Sequence, residues 1–131
     1  MLNLDSLKRI DGVFYLSSKP SAGLDENVYL QVRKKEGRFY PDSIVRSLPV
    51  IDKNHPLKKE WKLREISCNK LLKYISTKAV ENILEVGCGN GWLSSKISKK
   101  CGCFVAGVDV NREELKQAAR VFGGNDKVKF I

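Results

Sequence analysis

The chain has 131 residues, of which 42% are hydrophobic and 30% charged, and a formal net charge of +9. That length suits one domain, and the composition excludes wholesale disorder. No apolar run approaches the ~20 residues that cross a bilayer, and Met1-Leu2-Asn3-Leu4-Asp5 lacks the basic-then-apolar pattern of a secretion signal. A cytoplasmic protein with no membrane partner is therefore expected.

The charge is uneven. Residues 1–79 hold 16 Lys and Arg against 9 Asp and Glu, whereas residues 80–131 hold 8 against 6. A basic N-terminal half can attract nucleic acid or an anionic substrate. Its lysines alternate with Glu and apolar residues, and aromatic interleaving is sparse. That pattern favours solvated helix faces over a nucleic-acid partner. Cys101 and Cys103 bracket one glycine, but no second Cys or His pair completes a zinc pattern, so no metal is expected. Cys68, Cys88, Cys101 and Cys103 read as free thiols of a reducing compartment.

In chain order, Val13-Phe14-Tyr15-Leu16 suggests a short strand and residues 17–23 a loop. Leu24, Val28, Tyr29 and Val32 have helical spacing, and Gly37 is a natural stop. Pro41-Asp42 opens a short helix through Ser47, before Pro49. A longer helix follows Pro56 to about Ser76, with Leu57, Trp61, Arg64, Cys68, Leu71, Leu72 and Ile75 near one face. The period then changes. Ile83-Leu84-Glu85-Val86 reads as a strand buried on both faces. A glycine-rich turn and a helix carrying Trp92, Leu93 and Ile97 come next. Phe104 to Val108 is a second strand, ended by Asp109. Asn111 caps a helix from Arg112 to Phe122, and Val128 to Ile131 begins a third strand. Strand, helix, strand, helix, strand predicts a parallel sheet with right-handed crossovers. The expected fold class is α/β, a truncated Rossmann-like three-layer parallel sheet over 80–131. A mainly helical cap region, 1–79, precedes it.

The turn Gly87-Cys88-Gly89-Asn90-Gly91 lets a ligand approach the backbone without meeting Cβ atoms. Asp109 ends the next strand, beside that turn, where a carboxylate can accept hydrogen bonds from ribose hydroxyls. This points to a nucleoside-bearing cofactor. Dinucleotide turns read Gly-x-Gly-x-x-Gly and cradle a pyrophosphate; here the run is Gly-x-Gly-x-Gly. Glu85 stands two residues before it, where an anion would repel a pyrophosphate but favour a cation.

Ile83-Leu84-Glu85-Val86-Gly87-Cys88-Gly89-Asn90-Gly91-Trp92-Leu93 resembles the first motif of class I S-adenosylmethionine-dependent methyltransferases. Gly107-Val108-Asp109-Val110-Asn111 resembles the second. The resemblance implies S-adenosylmethionine as cofactor. It implies that Gly87, Cys88 and Gly89 line the methionine part, Glu85 helps orient it, Asp109 holds the ribose and Val110 packs on adenine. Arg33, Arg38 and Arg64 become candidates to meet the cofactor carboxylate or an anionic substrate. The implied reaction is methyl transfer, expected on a small molecule. A non-catalytic cofactor-binding subunit and a nucleic-acid methyltransferase are the alternatives. Such transfer rests on proximity and alignment, so no catalytic residue is assigned. The resemblance also implies strands beyond the third, one of them pairing with Ile83–Val86. The chain thus reads as truncated, not expected to catalyse efficiently alone, and open to self-association or a partner chain through an apolar sheet edge.

Overall fold

The computed structural model describes residues 3–16 and 24–131; the loop expected over 17–23 lies outside them. Two short strands, β1 (Lys8–Ile10) and β2 (Val13–Tyr15), pair antiparallel with Ile10 opposite Val13. Their two-residue turn is Asp11-Gly12, with φ of 52° and 82°. Positive φ at both positions is what a tight hairpin turn demands. Sequence reading found β2 but not its partner.

Three helices follow: α1 (Leu24–Lys35), α2 (Asp42–Ser47) and α3 (Lys58–Ser76). The apolar stripe expected to anchor α1 is not buried. Val28, Tyr29 and Val32 are all exposed. Polar contacts to a distant helix hold α1 instead, as described below. On α3, Trp61, Cys68, Leu72 and Ile75 are buried as expected, but Leu71 is exposed.

The second half alternates β3 (Asn82–Val86), α4 (Trp92–Cys101), β4 (Phe104–Val108), α5 (Arg112–Phe122) and β5 (Val128–Phe130). The strands are parallel, in the order β3-β4-β5. This is the Rossmann-like sheet that the alternation predicts. Two right-handed crossovers progressing in one direction put α4 and α5 on the same side of the sheet. Ile97 accordingly packs with Val105, and Leu115 and Ala118 pack with Val128 and Phe130.

The opposite side explains one correction. Ile83–Val86 is not buried on both faces: Leu84 is 58% and Val86 79% exposed, and Phe104 beside them is 39% exposed. An all-apolar strand run presumes a layer on each side, and among the described residues no helix covers this one. β3 is also the sheet edge, paired with β4 alone.

The N-terminal elements share the main core. Val13, Tyr40, Val45, Leu48, Ile51 and Trp61 cluster with Leu115, Phe122, Val128 and Phe130. Polar contacts reinforce the join. Gln117 donates to the Tyr40 carbonyl at 2.7 Å, and Arg120 donates to both carboxylate oxygens of Asp42 at 2.6 and 2.8 Å. No helix among the described residues is long and apolar enough to cross a membrane.

Candidate functional site

The turn after β3 is built by backbone hydrogen bonds that glycine makes feasible. The N–H groups of Gly87 and Cys88 both donate to the Val108 carbonyl, at 2.8 and 3.0 Å. This extends the β3–β4 ladder past the strand and turns the chain over the end of β4. Gly87, Gly89 and Gly91 have φ of 77°, 51° and 73°, a region that L side chains adopt only with strain. At Gly87 a Cβ would meet nothing within 4 Å, so the backbone faces open space. At Gly91 it would lie 2.5 Å from the Phe130 ring and 2.8 Å from Ala118. Gly87 thus leaves room for a ligand, while Gly91 lets α4 pack against β5 and α5.

Asp109 binds the turn to the end of β4. One carboxylate oxygen accepts from Gly89 N–H at 2.8 Å, the other from Asn111 N–H at 2.8 Å. Asn111 then caps α5 by accepting from Glu114 N–H at 3.0 Å. The structure therefore brings Gly87, Cys88, Gly89 and Asp109 to one point. Val110 stands at its outer lip, 88% exposed.

Glu85 sits differently. Its carboxylate accepts a hydrogen bond from Ser94 Oγ of α4. Burial pushes its proton affinity up, the Ser94 hydrogen bonds oppose that, and Asp109 adds to it. Cys88 is 5% exposed. Its thiol is pushed far up, by burial first and then by Glu85, Asp109 and Glu114, so it stays protonated and is no nucleophile.

Sequence reading missed three contributors. Ser94 holds Glu85. Gly107 lies under the turn, where a Cβ would come within 2.9 Å of both Cys88 Sγ and Ser94 Oγ. Glu114 of α5 is the third. It is 2% exposed, lies 3.6 Å from where a Gly89 Cβ would be, and pairs with Arg33 of α1 at 3.3 Å. Burial raises its proton affinity and Arg33 lowers it. Two turns earlier on α1, Glu26 accepts from Arg112 N–H at 2.7 Å. α1 is therefore fastened to the first turn of α5, over the glycine turn. A glycine inside a strand is a signal for close approach and could have exposed Gly107. The Arg33–Glu114 pair spans 81 residues and left no trace in sequence.

Two cavities meet at the turn and share Gly87 and Asp109. The first, about 530 Å³, is apolar, with Tyr15, Val86, Val108, Val110, Leu115 and Ile131 in its walls. The second, about 220 Å³, is polar; Cys88, Gly89 and Glu114 meet Tyr29, Arg33, Arg38 and Arg64 there. All three arginines flagged in the sequence thus reach it. Arg38 and Arg64 both bind Glu60 of α3: Arg38 at 2.8 Å to each carboxylate oxygen, Arg64 at 2.9 and 3.1 Å to one of them. Arg33 Nε is buried without a hydrogen-bond partner. Among the described residues no group of three or more His, Cys, Asp or Glu side chains could hold a metal ion.

Comparison with known proteins accords with this geometry. Residues 83–131 match the family model described as a methyltransferase domain. No curated protein matches the chain. Among solved structures, magnesium protoporphyrin IX methyltransferase from Synechocystis PCC 6803 with bound SAM is 16% identical, with a TM-score of 0.57. The match covers 85% of this chain and 55% of that one. The same enzyme with bound SAH is 15% identical with a TM-score of 0.56, covering 82% and 50%. These likenesses support the fold. The chain spans about half the length of the solved structures it matches.

Proposed function

We propose that this chain, whose residues 83–131 match the family model of a methyltransferase domain, is the cofactor-binding half of an S-adenosylmethionine-dependent methyltransferase acting on a small molecule. On this reading residues 80–131 hold the cofactor and residues 1–79 cap it. One observation carries the proposal: a single carboxylate, Asp109, stands where an apolar cavity and a polar cavity meet over the turn. A nucleoside joined to an amino acid has that same division, with a flat apolar base at one end and a zwitterion at the other.

The residues present suit the cofactor. Each Asp109 oxygen already accepts one backbone N–H and retains a lone pair for a ribose hydroxyl. Val86, Val108 and Val110 offer an apolar wall for adenine. The open space before Gly87 admits the methionine part against backbone. Arg33, which lines the polar cavity, offers a positive charge for its carboxylate. Glu85 and Glu114, flanking the turn, favour its positive groups over an anion. Held by Asp109, Val110 and the Gly87 backbone, the cofactor would supply an electrophilic methyl group to a nucleophilic acceptor. The chain's own residues contribute orientation and a charge environment, which are what a reaction governed by alignment draws on.

Titration calorimetry with S-adenosylhomocysteine tests this. The chain should bind it, and Asp109→Ala should weaken binding by about tenfold to a hundredfold, the range for lost hydrogen bonds to a charged group. A folded chain that does not bind refutes the assignment.

A further inference from the structure

A third cavity, about 390 Å³, runs along the outside of the same site, between α3 and α4. Leu63, Cys68 and Leu71 of α3 and Trp92 and Leu93 of α4 give it apolar walls. It shares Glu60, Arg64 and Trp92 with the polar cavity at the glycine turn, so the two lie side by side there. Leu63 is 66% exposed on its rim. Its polar end is unevenly charged. Among the described residues Glu60 is the only carboxylate in the walls, and one of its oxygens takes Arg38 at 2.8 Å as well as Arg64 at 2.9 and 3.1 Å. Arg38 has a second acid, Glu36, at 3.3 Å. Arg64 thus has only a share of one carboxylate. It uses Nε and Nη2 for that and stacks on the Trp61 ring at 5.1 Å.

We propose that this groove is the acceptor-side subsite and that it takes an apolar acid, its body along Leu63, Leu71 and Leu93 and its anionic group at Arg64. The inference rests on the methyltransferase reading, because it is the shared wall of Glu60, Arg64 and Trp92 that puts such a ligand beside the cofactor. An apolar body gains from the walls in proportion to the area buried, and an incompletely neutralised guanidinium favours a carboxylate over a neutral or cationic head. An amine there would meet Arg64 with like charge.

Trp92 lines both cavities and Trp61, the other tryptophan of the chain, lines the polar one, with ring centroids 5.5 Å apart. Their emission therefore reads occupancy directly. Octanoate, 1-octanol and octylamine, titrated below micelle formation with and without S-adenosylhomocysteine, are the probes. Octanoate should shift the emission and bind at least about tenfold more tightly than octylamine, as expected for a charge-assisted contact. Arg64→Met should abolish that preference and Arg64→Lys restore part of it. Leu71→Gln, at an exposed position that keeps the fold, should weaken octanoate and leave S-adenosylhomocysteine binding unchanged. Equal binding of octanoate and octylamine overturns the proposal. So does octanoate that competes with S-adenosylhomocysteine, or that ignores Leu71→Gln. Failure of S-adenosylhomocysteine to bind is a separate result and removes the methyltransferase reading itself.

Discussion

Gly107 shows how one atom governs the site. It lies inside β4, where a side chain would normally pack, yet a Cβ there would stand 2.9 Å from Cys88 Sγ and from Ser94 Oγ. The turn and the start of α4 can settle onto the sheet only because that atom is missing. Gly107→Ala should therefore destabilise the fold by about 1–3 kcal/mol, the usual cost of overpacking, as read by urea unfolding. Cys88 is one of the two side chains in the way, so Cys88→Ala in the same chain should recover part of the loss. Strict additivity of the two substitutions would show that they do not meet.

At the scale of elements, the helices of the first half are joined to the second by charge as much as by apolar contact. α1 has its apolar stripe in solvent and reaches α5 through Glu26 and Arg33. The segment after it is held to α3 through Arg38 and Glu60. Hydrogen bonding by Arg38 holds the Glu60 carboxyl down to about 2 from its ordinary 4.5, burial opposes this, and Arg64 assists. A carboxylate whose folded pKa is depressed stabilises the fold above its unfolded pKa and loses that contribution as pH falls through the folded one. The stability difference between the wild-type chain and Glu60→Gln should thus be constant above about 4.5 and vanish as pH falls toward about 2. Thermal or urea unfolding at a series of pH values measures it. A difference that persists at the acid end would mean that Glu60 acts through packing.

For the whole molecule, the sheet has one covered face and, among the described residues, one bare one. Leu84, Val86 and Phe104 present an apolar surface next to the unpaired edge of β3. Apolar surface beside free strand amides favours association with another strand. Sedimentation equilibrium should show a mass that rises with concentration, and Leu84→Lys with Val86→Lys should return the chain to a monomer. A wild-type chain that stays monomeric at high concentration would contradict this.

The sequence determined a great deal here by itself, because its strongest signals are local. The cap at Asn111, the alternation of strands with helices, and the turn from Gly87 to Gly91 depend on residues within a few positions of one another. Each was found where the residues predicted. The Asp11-Gly12 hairpin was also written locally but was passed over, since its strands are only three residues long. What only the tertiary structure decided depends on residues far apart in the chain. The pairing of Arg33 with Glu114, the close approach at Gly107, the exposed stripe of α1 and the bare face of the sheet belong to that group. An apolar residue states that it prefers burial, but whether another layer arrives to bury it is settled by packing at a distance, and no local pattern records that.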